Sequence, residues 1–526
     1  MAPRAVFIGM PGVGKSTVGR AVARELGVKF ADADNLIVKR AGKSIVQIFA
    51  EQGESGFRKL EEEVVCDALD HFSGVISLGG GAVLHPAVQQ RLTNLPVILI
   101  EVSDAELVRR VTKSRTVRPI LTADPAGTIA RLRQERAALY HRLAAYVVHS
   151  DSNPMSRVVA DALAVLRDPS DVITVAAGQT NEYPVIVGNQ LASQVVRFAA
   201  QYAKVMVVHA PQVSATVAAI HDELRAAEIP VQCYELPAGE ASKTNTCLAE
   251  LWHAAGEFQL GRDGAVIAIG GGATTDVAGF FAATWLRGIP VIQVPTTLLA
   301  MVDAAVGGKT GINTDHGKNL VGAFHSPRAV ICDMSTLATL PIAELRAGMG
   351  EIVKCGFIRD REILNVIAKY GRGVINPTHH AIRELVTRAV QVKAEVVSAD
   401  FRESGLREIL NYGHTFAHAV ELDTDYRVRH GEAVAIGCVF AAAIAEAAGI
   451  AAPGHTDLHR QAFAALGLPV NHPGADRAKL ENIMYSDKKV RDGKLRFVVL
   501  RDIAQPEIMI SPGRAVLDQA FAAVGA

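Results

Sequence analysis

Glu351, His414 and His430 carry side chains that can all ligate a metal, and the sequence around them is dense in polar groups. In Arg407-Glu-Ile-Leu-Asn-Tyr-Gly-His-Thr-Phe-Ala-His418, the spacing of Arg407, Asn411, His414 and His418 puts all four on one face of an α-helix. His430 opens the next helical run, 431–448, and Gly-Met-Gly-Glu351-Ile-Val-Lys354 sets a carboxylate and an amine on one face of an earlier helix. Two imidazoles and a carboxylate suit zinc, and three protein ligands leave a position open for water or substrate, as catalytic sites do. The competing reading is a layer of satisfied histidines between helices. Arginine, asparagine and two histidines on one stripe are costly to bury without a purpose, which favours the metal. No His-Glu-x-x-His pair occurs, so a zincin protease is not indicated.

A second chemistry opens the chain. The apolar run Ala5 to Ile8 leads into Gly9-Met-Pro-Gly12-Val13-Gly14-Lys15-Ser16-Thr17 and an amphipathic helix. Strand, glycine-rich loop and helix with Gly-x4-Gly-Lys-Ser make a phosphate cradle: backbone amides approach the phosphates, Lys15 reaches the β/γ oxygens and the Ser16 hydroxyl faces Mg²⁺. Asp32 and Asp34 follow, then Phe57-Arg58 ahead of an acidic helix, and Gly79-Gly80-Gly81 after an apolar run. Further on stand Arg110, a basic loop from Arg115 to Arg118, and Arg133-x-x-Arg136-x-x-x-Tyr140 on a helix.

In order and spacing these positions resemble shikimate kinase over nearly all of residues 1–166. The resemblance implies ATP on Gly12, Val13, Gly14, Lys15, Ser16, Thr17, Arg110 and Arg118, with Arg118 in a lid spanning 112–125. It implies Mg²⁺ near Ser16 and Asp32, and shikimate on Asp34, Arg58, Gly79, Gly80, Gly81 and Arg136. Lys15, Asp34, Arg118 and Arg136 would be catalytic. A small acid that accepts a phosphoryl group needs guanidinium forks for its carboxylate and a carboxylate near its hydroxyl, which Arg58, Arg136 and Asp34 can supply.

Leu-Arg-Asp-Pro-Ser-Asp breaks the pattern at 166–171, where a domain boundary is expected. Strands and helices then alternate, and Ala265-Val-Ile-Ala-Ile-Gly-Gly-Gly272 reads as a buried strand, a glycine turn and a helix start fit for a pyrophosphate. With Arg287-Gly-Ile-Pro, Pro-Thr296-Thr297, Asp303, Gly-Gly-Lys309, Gly-Lys318-Asn319, Lys393 and the Glu351/His414/His430 set, residues 172–526 are similar to 3-dehydroquinate synthase. The resemblance implies NAD⁺ on Gly239, Glu240, Lys243, Gly271, Gly272, Asp276, Thr296, Thr297, Lys309, Lys318, Thr336 and Thr339. It implies Zn²⁺, or Co²⁺ in its place, on Glu351, His414 and His430. A heptulosonate phosphate would be held by Arg287, Asp303, Lys309, Asn319, Lys354, Lys393, Arg407, Asn411, His418 and Lys489. Lys309, Lys354, Lys393, Asn411 and His418 would be catalytic. The NAD⁺ would be recycled within each turnover, with phosphate leaving between oxidation and reduction. Met301, Ala304, Ala305 and Ala417 depart from the family's usual Gln, Ser-Ser and Gly.

The expected architecture is therefore α/β throughout. A P-loop kinase domain with a parallel sheet (1–166) and a linker (167–171) precede a Rossmann-like NAD-binding domain (172–340) and a mainly helical zinc and substrate domain (341–526). Composition supports small-molecule chemistry. In 526 residues, 54 basic and 54 acidic side chains balance without long runs of one sign, so neither nucleic acid nor an anionic membrane is an expected partner. Six scattered cysteines without Cys-x-x-Cys, no signal-peptide core, and a longest apolar stretch of only 433–445 suggest a cytoplasmic protein. The synthase resemblance implies a homodimer or larger assembly. Two rival readings are another sugar phosphate cyclase or a glycerol-dehydrogenase-like oxidoreductase in the second half, and a non-catalytic scaffold in either half.

Overall fold

The computed structural model describes residues 3–93, 95–113, 124–151, 153–167, 170–178, 181–403, 405–486 and 495–526. The chain packs into two compact units, Met1–Pro169 with Leu191–Lys204 and Ala215–Val231, and Ser170–Gln190 with Val205–Ser214 and Gln232–Ala526.

In the first unit five strands, β1 (Ala5–Ile8), β2 (Phe30–Asp32), β3 (Val75–Ser77), β4 (Val97–Glu101) and β5 (Tyr146–His149), form a parallel sheet in the order β2-β3-β1-β4-β5. The apolar run of β1 is buried on both faces, with Val6 opposite Ile76 and Val97, as expected of a central parallel strand. The loop after β1 can turn only because Gly9, Gly12 and Gly14 take φ of 138°, 93° and 102°. The helix Lys15–Glu25 then starts at the phosphate-cradle lysine.

Phe57 and Arg58 do not precede a helix; they lie inside the helix Ile45–His71. Ser44 and Gln47 cap its start reciprocally, and only Gly53 (φ 69°) interrupts it, so the helix begins well before the acidic run. The helices Ala192–Ala199 and Ser214–Ala226 complete this unit. Ser193 donates to the Ala145 carbonyl at 2.6 Å, and buried His141 sits between Glu101 and Glu223 at 2.8 and 3.1 Å.

The second unit carries seven strands: β6 (Asp171–Ala176), β7 (Glu182–Gly188), β8 (Val205–His209), β9 (Val231–Glu235), β10 (Ala265–Gly270), β11 (Val291–Pro295) and β14 (Ala329–Asp333). Their order is β6-β7-β14-β11-β10-β8-β9. β12 (Lys309–Thr314) and β13 (Gly317–Phe324) form a separate hairpin, and β15 (Arg496–Leu500) pairs with β16 (Pro506–Ile510) late in the chain. Between them lie helices, among them Ile342–Ile358, His380–Ala399, His414–Asp423, His430–Ala447 and His455–Ala464. By length and composition His430–Ala447 could cross a membrane, but 78% of it is buried inside this unit, as befits a core helix.

Arg407, Asn411, His414 and His418 do not share one helix. Leu406–Asn411 is a 3₁₀ turn and the α-helix starts only at His414, because Gly413 takes a left-handed φ of 79°. A Cβ at Gly413 would stand 2.7 Å from the Cys438 amide nitrogen, so chain approach as well as conformation requires glycine there.

A second close approach sets the site's geometry. A Cβ on Gly431 would overlap the Ala347 carbonyl oxygen, and one on Gly350 would overlap the Gly431 carbonyl. The helices bearing Glu351 and His430 therefore touch backbone to backbone one residue from each of these side chains. Gly431→Ala should force them apart and destabilise the second unit by about 1–3 kcal/mol, read as an earlier denaturant transition with the first unit's transition unmoved.

Candidate active sites

In the second unit, the ligand atoms of Glu351, His414 and His430 lie within 4.8 Å of one another. Glu351 Oε1 is 3.2 Å from His430 Nε2 and 3.5 Å from His414 Nε2. The outward nitrogens are also held: His414 Nδ1 meets the Tyr412 carbonyl oxygen at 3.2 Å and His430 Nδ1 meets Glu421 at 3.4 Å. Imidazoles fixed at one nitrogen and converging with the other on a carboxylate form the donor set of a zinc-type site, so these residues fit the metal. Burial alone would lower the basicity of His430, but its hydrogen bonds to Glu351 and Glu421 prevail and raise its pKa to about 10.

Basic groups surround this cluster. Lys354, 2% exposed, pairs with Glu351 and donates to the Leu410 carbonyl at 2.8 Å. Lys393 bonds both the carboxylate and the carbonyl of Asp303, which sits in the π-turn Ala300–Ala304. Burial pushes the Asp303 carboxyl up, yet Lys393 and Lys354 hold it well below the usual range. Arg407 donates to the carbonyls of Gly307 and Phe401 at 3.2 and 2.6 Å, Lys309 pairs with Glu403 at 2.5 Å, and Asn411 reaches Glu403 at 3.4 Å. His418 packs edge-on against His414, with ring centroids 5.7 Å apart.

Arg287 ends the short turn Trp285–Arg287. It lines a cleft of about 710 Å³ together with His325, Arg328 and Arg402, a lining that includes none of the metal-set residues or Lys354. Lys489 and Arg118 lie outside the described residues.

The glycine turn after β10 behaves as a dinucleotide cradle would. Side chains on Gly271 and Gly272 would come within 3.1 and 3.2 Å of Thr297 and Ala304, so close packing favours glycine where the helix Gly272–Thr284 begins and presents its first amides. Thr296 is buried beside it and donates its amide to Gly270. Lys243 bonds Asp276 at 2.7 Å and also Asn319, while Glu240 accepts from Asn313 at 2.7 Å and lies 3.9 Å from Lys318. Burial pushes the Asp276 carboxyl up to about 6 against the pull of Lys243. Gly239 begins a short 3₁₀ turn leading to Lys243. Thr336 and Thr339 spend their hydroxyls on their own 3₁₀ turn, bonding the carbonyls of Asp333 and Thr336.

In the first unit Lys15 folds onto the carbonyls of Gly9 and Met10 at 2.9 and 3.0 Å, and Ser16 lies 3.3 Å from the Ser77 hydroxyl. The Asp32 carboxylate accepts from the Asp34 amide at 3.1 Å. Arg110 bonds the Val13 and Ser150 carbonyls, tying the phosphate loop to the end of β5. Arg58 pairs with buried Glu61 at 2.7 Å, and a side chain on Gly81 would collide with that guanidinium. Tyr140 donates to the Gly80 carbonyl at 2.6 Å. One turn earlier Arg136 is 9% exposed, and its Nε has no hydrogen-bond partner. A buried guanidinium with an open donor fits an anionic ligand.

Sequence reading missed Glu61, Glu403, Glu421 and Tyr412. Glu61 follows Arg58 by three and Glu421 follows His418 by three, so helical spacing could have found both; Tyr412 carried no such signal.

Different stretches of the chain match different known enzymes. The family model for shikimate kinase matches residues 11–167, and the N- and C-terminal models for 3-dehydroquinate synthase match 233–347 and 348–490. A 3-dehydroquinate synthase of Saccharopolyspora erythraea is 48% identical over 65% of this chain and 92% of its own length. One from Mycolicibacterium vanbaalenii is 47% identical over 67% and 98%. Among solved structures, the 2-epi-5-epi-valiolone synthase of Streptomyces hygroscopicus subsp. jinggangensis, with NAD⁺ and Zn²⁺ bound, matches with a TM-score of 0.61 and 26% identity, covering 66% of this chain and 98% of that one. The fold and its two sites define a two-enzyme chain, a phosphate-loop kinase and a metal- and dinucleotide-type α/β enzyme. The chain belongs to the 3-dehydroquinate synthase family and carries a shikimate kinase ahead of the synthase.

Burial, then the carboxylates of Asp32 and Glu61, raise the Asp34 pKa above its ordinary value against the pull of Lys15. A carboxyl raised in the folded state favours folding while protonated, and that advantage is lost as pH rises and it ionises. Asp34→Asn should therefore unfold later than the parent at pH 7, with the difference closing as pH falls below about 4, in denaturant titrations followed at several pH values.

Proposed function

We propose that the first unit phosphorylates shikimate at its 3-hydroxyl with ATP and Mg²⁺. The second would convert 3-deoxy-D-arabino-heptulosonate 7-phosphate to 3-dehydroquinate and phosphate with NAD⁺ and zinc. The observation that carries the synthase reading is the Glu351/His414/His430 set ringed by Lys354, Lys393, Lys309 and Arg407. A plain dehydrogenase of this fold has no use for so many cations, whereas a substrate with a carboxylate and a phosphate requires them. Bound zinc would supply Lewis acidity toward a substrate hydroxyl, and bound NAD⁺ a hydride acceptor regenerated in the same turnover.

The chain's own residues do the rest. Lys393 and Lys309, now on Asp303 and Glu403, would exchange those carboxylates for substrate anions. Lys354 keeps Glu351 ionised as a ligand. His418 and Asn411 are the orienting groups, and Arg407, braced on Gly307 and Phe401, offers fixed positive charge. In the kinase, Arg136 and Arg58 would take the shikimate carboxylate and Asp34 its hydroxyl proton, with Lys15 swinging from the loop carbonyls onto the transferred phosphoryl group. The rival cyclases resemble the chain less: the valiolone synthase is 26% identical, the Saccharopolyspora erythraea 3-dehydroquinate synthase 48%. Lys15, Asp34, Arg58 and Arg136 in one half and the Glu351/His414/His430 set in the other weigh against a scaffold role for either half.

Phosphate release from the heptulosonate, followed together with NADH absorbance, tests the reading. Release that stops on chelation without net NADH is expected; net NADH would mean a dehydrogenase, and release indifferent to chelation would remove the metal. Lys15→Ala should lower kinase turnover by at least about 100-fold and leave phosphate release unchanged. His414→Ala should do the reverse.

A further inference from the structure

Tyr412 and His459 are both 0% exposed, polar, and unused by the chemistry above. His459 Nδ1 lies 2.8 Å from the His455 carbonyl oxygen, so that nitrogen carries the proton and donates it. Its Nε2 is then an acceptor, and it receives the Tyr412 hydroxyl at 2.8 Å. The Tyr412 carbonyl in turn accepts from His414 Nδ1 at 3.2 Å, which leaves the His414 Nε2 lone pair facing Glu351.

The same two residues touch every element that bears a ligand. The His459 ring stacks on Phe357 at 3.6 Å between centroids and 13° between planes, and Phe357 belongs to the helix of Glu351. Tyr412 adjoins the His414 helix through Gly413. It also meets the helix of His430 at Cys438, whose Sγ lies 3.7 Å from the Tyr412 carbonyl and whose own carbonyl lies 3.4 Å from the Tyr412 hydroxyl. Burial depresses the His459 pKa to about 3, which keeps the ring neutral.

We propose that Tyr412 and His459 are positioning residues for the metal site, a buried uncharged strut that anchors the Tyr412 main chain, whose carbonyl holds His414 Nδ1, and sets the spacing of the three ligand-bearing elements. The proposal rests on the zinc reading of Glu351, His414 and His430. Outer partners of metal-bound histidines usually change affinity 10–100-fold when removed, and this strut reaches one step further out.

The test is Zn²⁺ affinity of the full-length chain, measured by competition with a chromophoric chelator, alongside its unfolding midpoint. Tyr412→Phe keeps the ring's volume and should weaken Zn²⁺ binding about tenfold while leaving His459 Nε2 buried without a donor. His459→Gln retains an acceptor for the Tyr412 hydroxyl and should keep most of the affinity. In Tyr412→Phe/His459→Leu no orphaned group remains, so the unfolding midpoint should recover while Zn²⁺ binding stays weak. Unchanged affinity in Tyr412→Phe, or affinity that recovers with stability in the double variant, would overturn the strut. Parent protein that binds no more Zn²⁺ than His414→Ala would instead overturn the metal reading itself.

Discussion

A carboxylate with almost no access to water organises the second unit. Glu351 is 2% exposed, and an ion so placed persists only when opposite charge and hydrogen bonds replace its hydration. Its partners come from different parts of the chain: Lys354 from its own helix, His414 from the helix after Gly413, His430 from the helix that crosses at Gly350 and Gly431. Each glycine marks a place where backbone must approach backbone for these groups to meet. Removing one partner of such a set typically costs about 3–5 kcal/mol, because the remaining charge stays buried. The close crossing at Gly350 and Gly431 therefore serves this ion's pairing as well as the apolar packing around it.

The kinase site has the opposite condition. Like charges crowd there: Asp34 faces Asp32 and Glu61, while the buried Arg136 Nε makes no hydrogen bond and lies 4.0 Å from Glu135. Like charges held together and buried donors held apart oppose stability, and they concentrate where ligands bring the missing charge. The surrounding parallel sheet, with β1 buried on both faces, supplies the rigidity that keeps these groups in place. One chain thus contains a site where opposite charges converge on a buried carboxylate and a site where carboxylates crowd one another.

What could be read from sequence follows from how local the physics is. The phosphate loop was legible because strand, glycines and helix start lie within a few residues, and its φ angles demand those glycines. Glu351 and His430 were legible as chemistry although 79 residues separate them, because a buried-looking carboxylate and imidazole in apolar helices have few other uses. The continuous stripe through Arg407, Asn411, His414 and His418 was not a helix, since periodicity cannot register one left-handed glycine. Glu61 resembles a surface acid until the fold buries it, Glu421 until it meets His430, and Tyr412 resembles a core aromatic until its hydroxyl finds His459. Arg287 carried the right charge, yet its position depends on the turn Trp285–Arg287, where Leu286 and Arg287 both take positive φ.

The departures from the family's usual residues gain meaning in the same terms. Met301 is wholly buried and belongs to the hydrophobic core, so an apolar side chain is at home there. Ala304 faces the glycine turn, where a side chain on Gly272 would stand 3.2 Å from its Cβ, and Ala305 is 3% exposed on the core side of the π-turn. Ala417 is buried beside the helix crossing, its amide 3.1 Å from where a Cβ on Gly437 would lie. All four positions govern volume and approach rather than charge. The Lys393–Asp303 and Lys354–Glu351 pairs stand intact beside them, so the electrostatic frame of the site does not depend on which small or apolar residue fills those places.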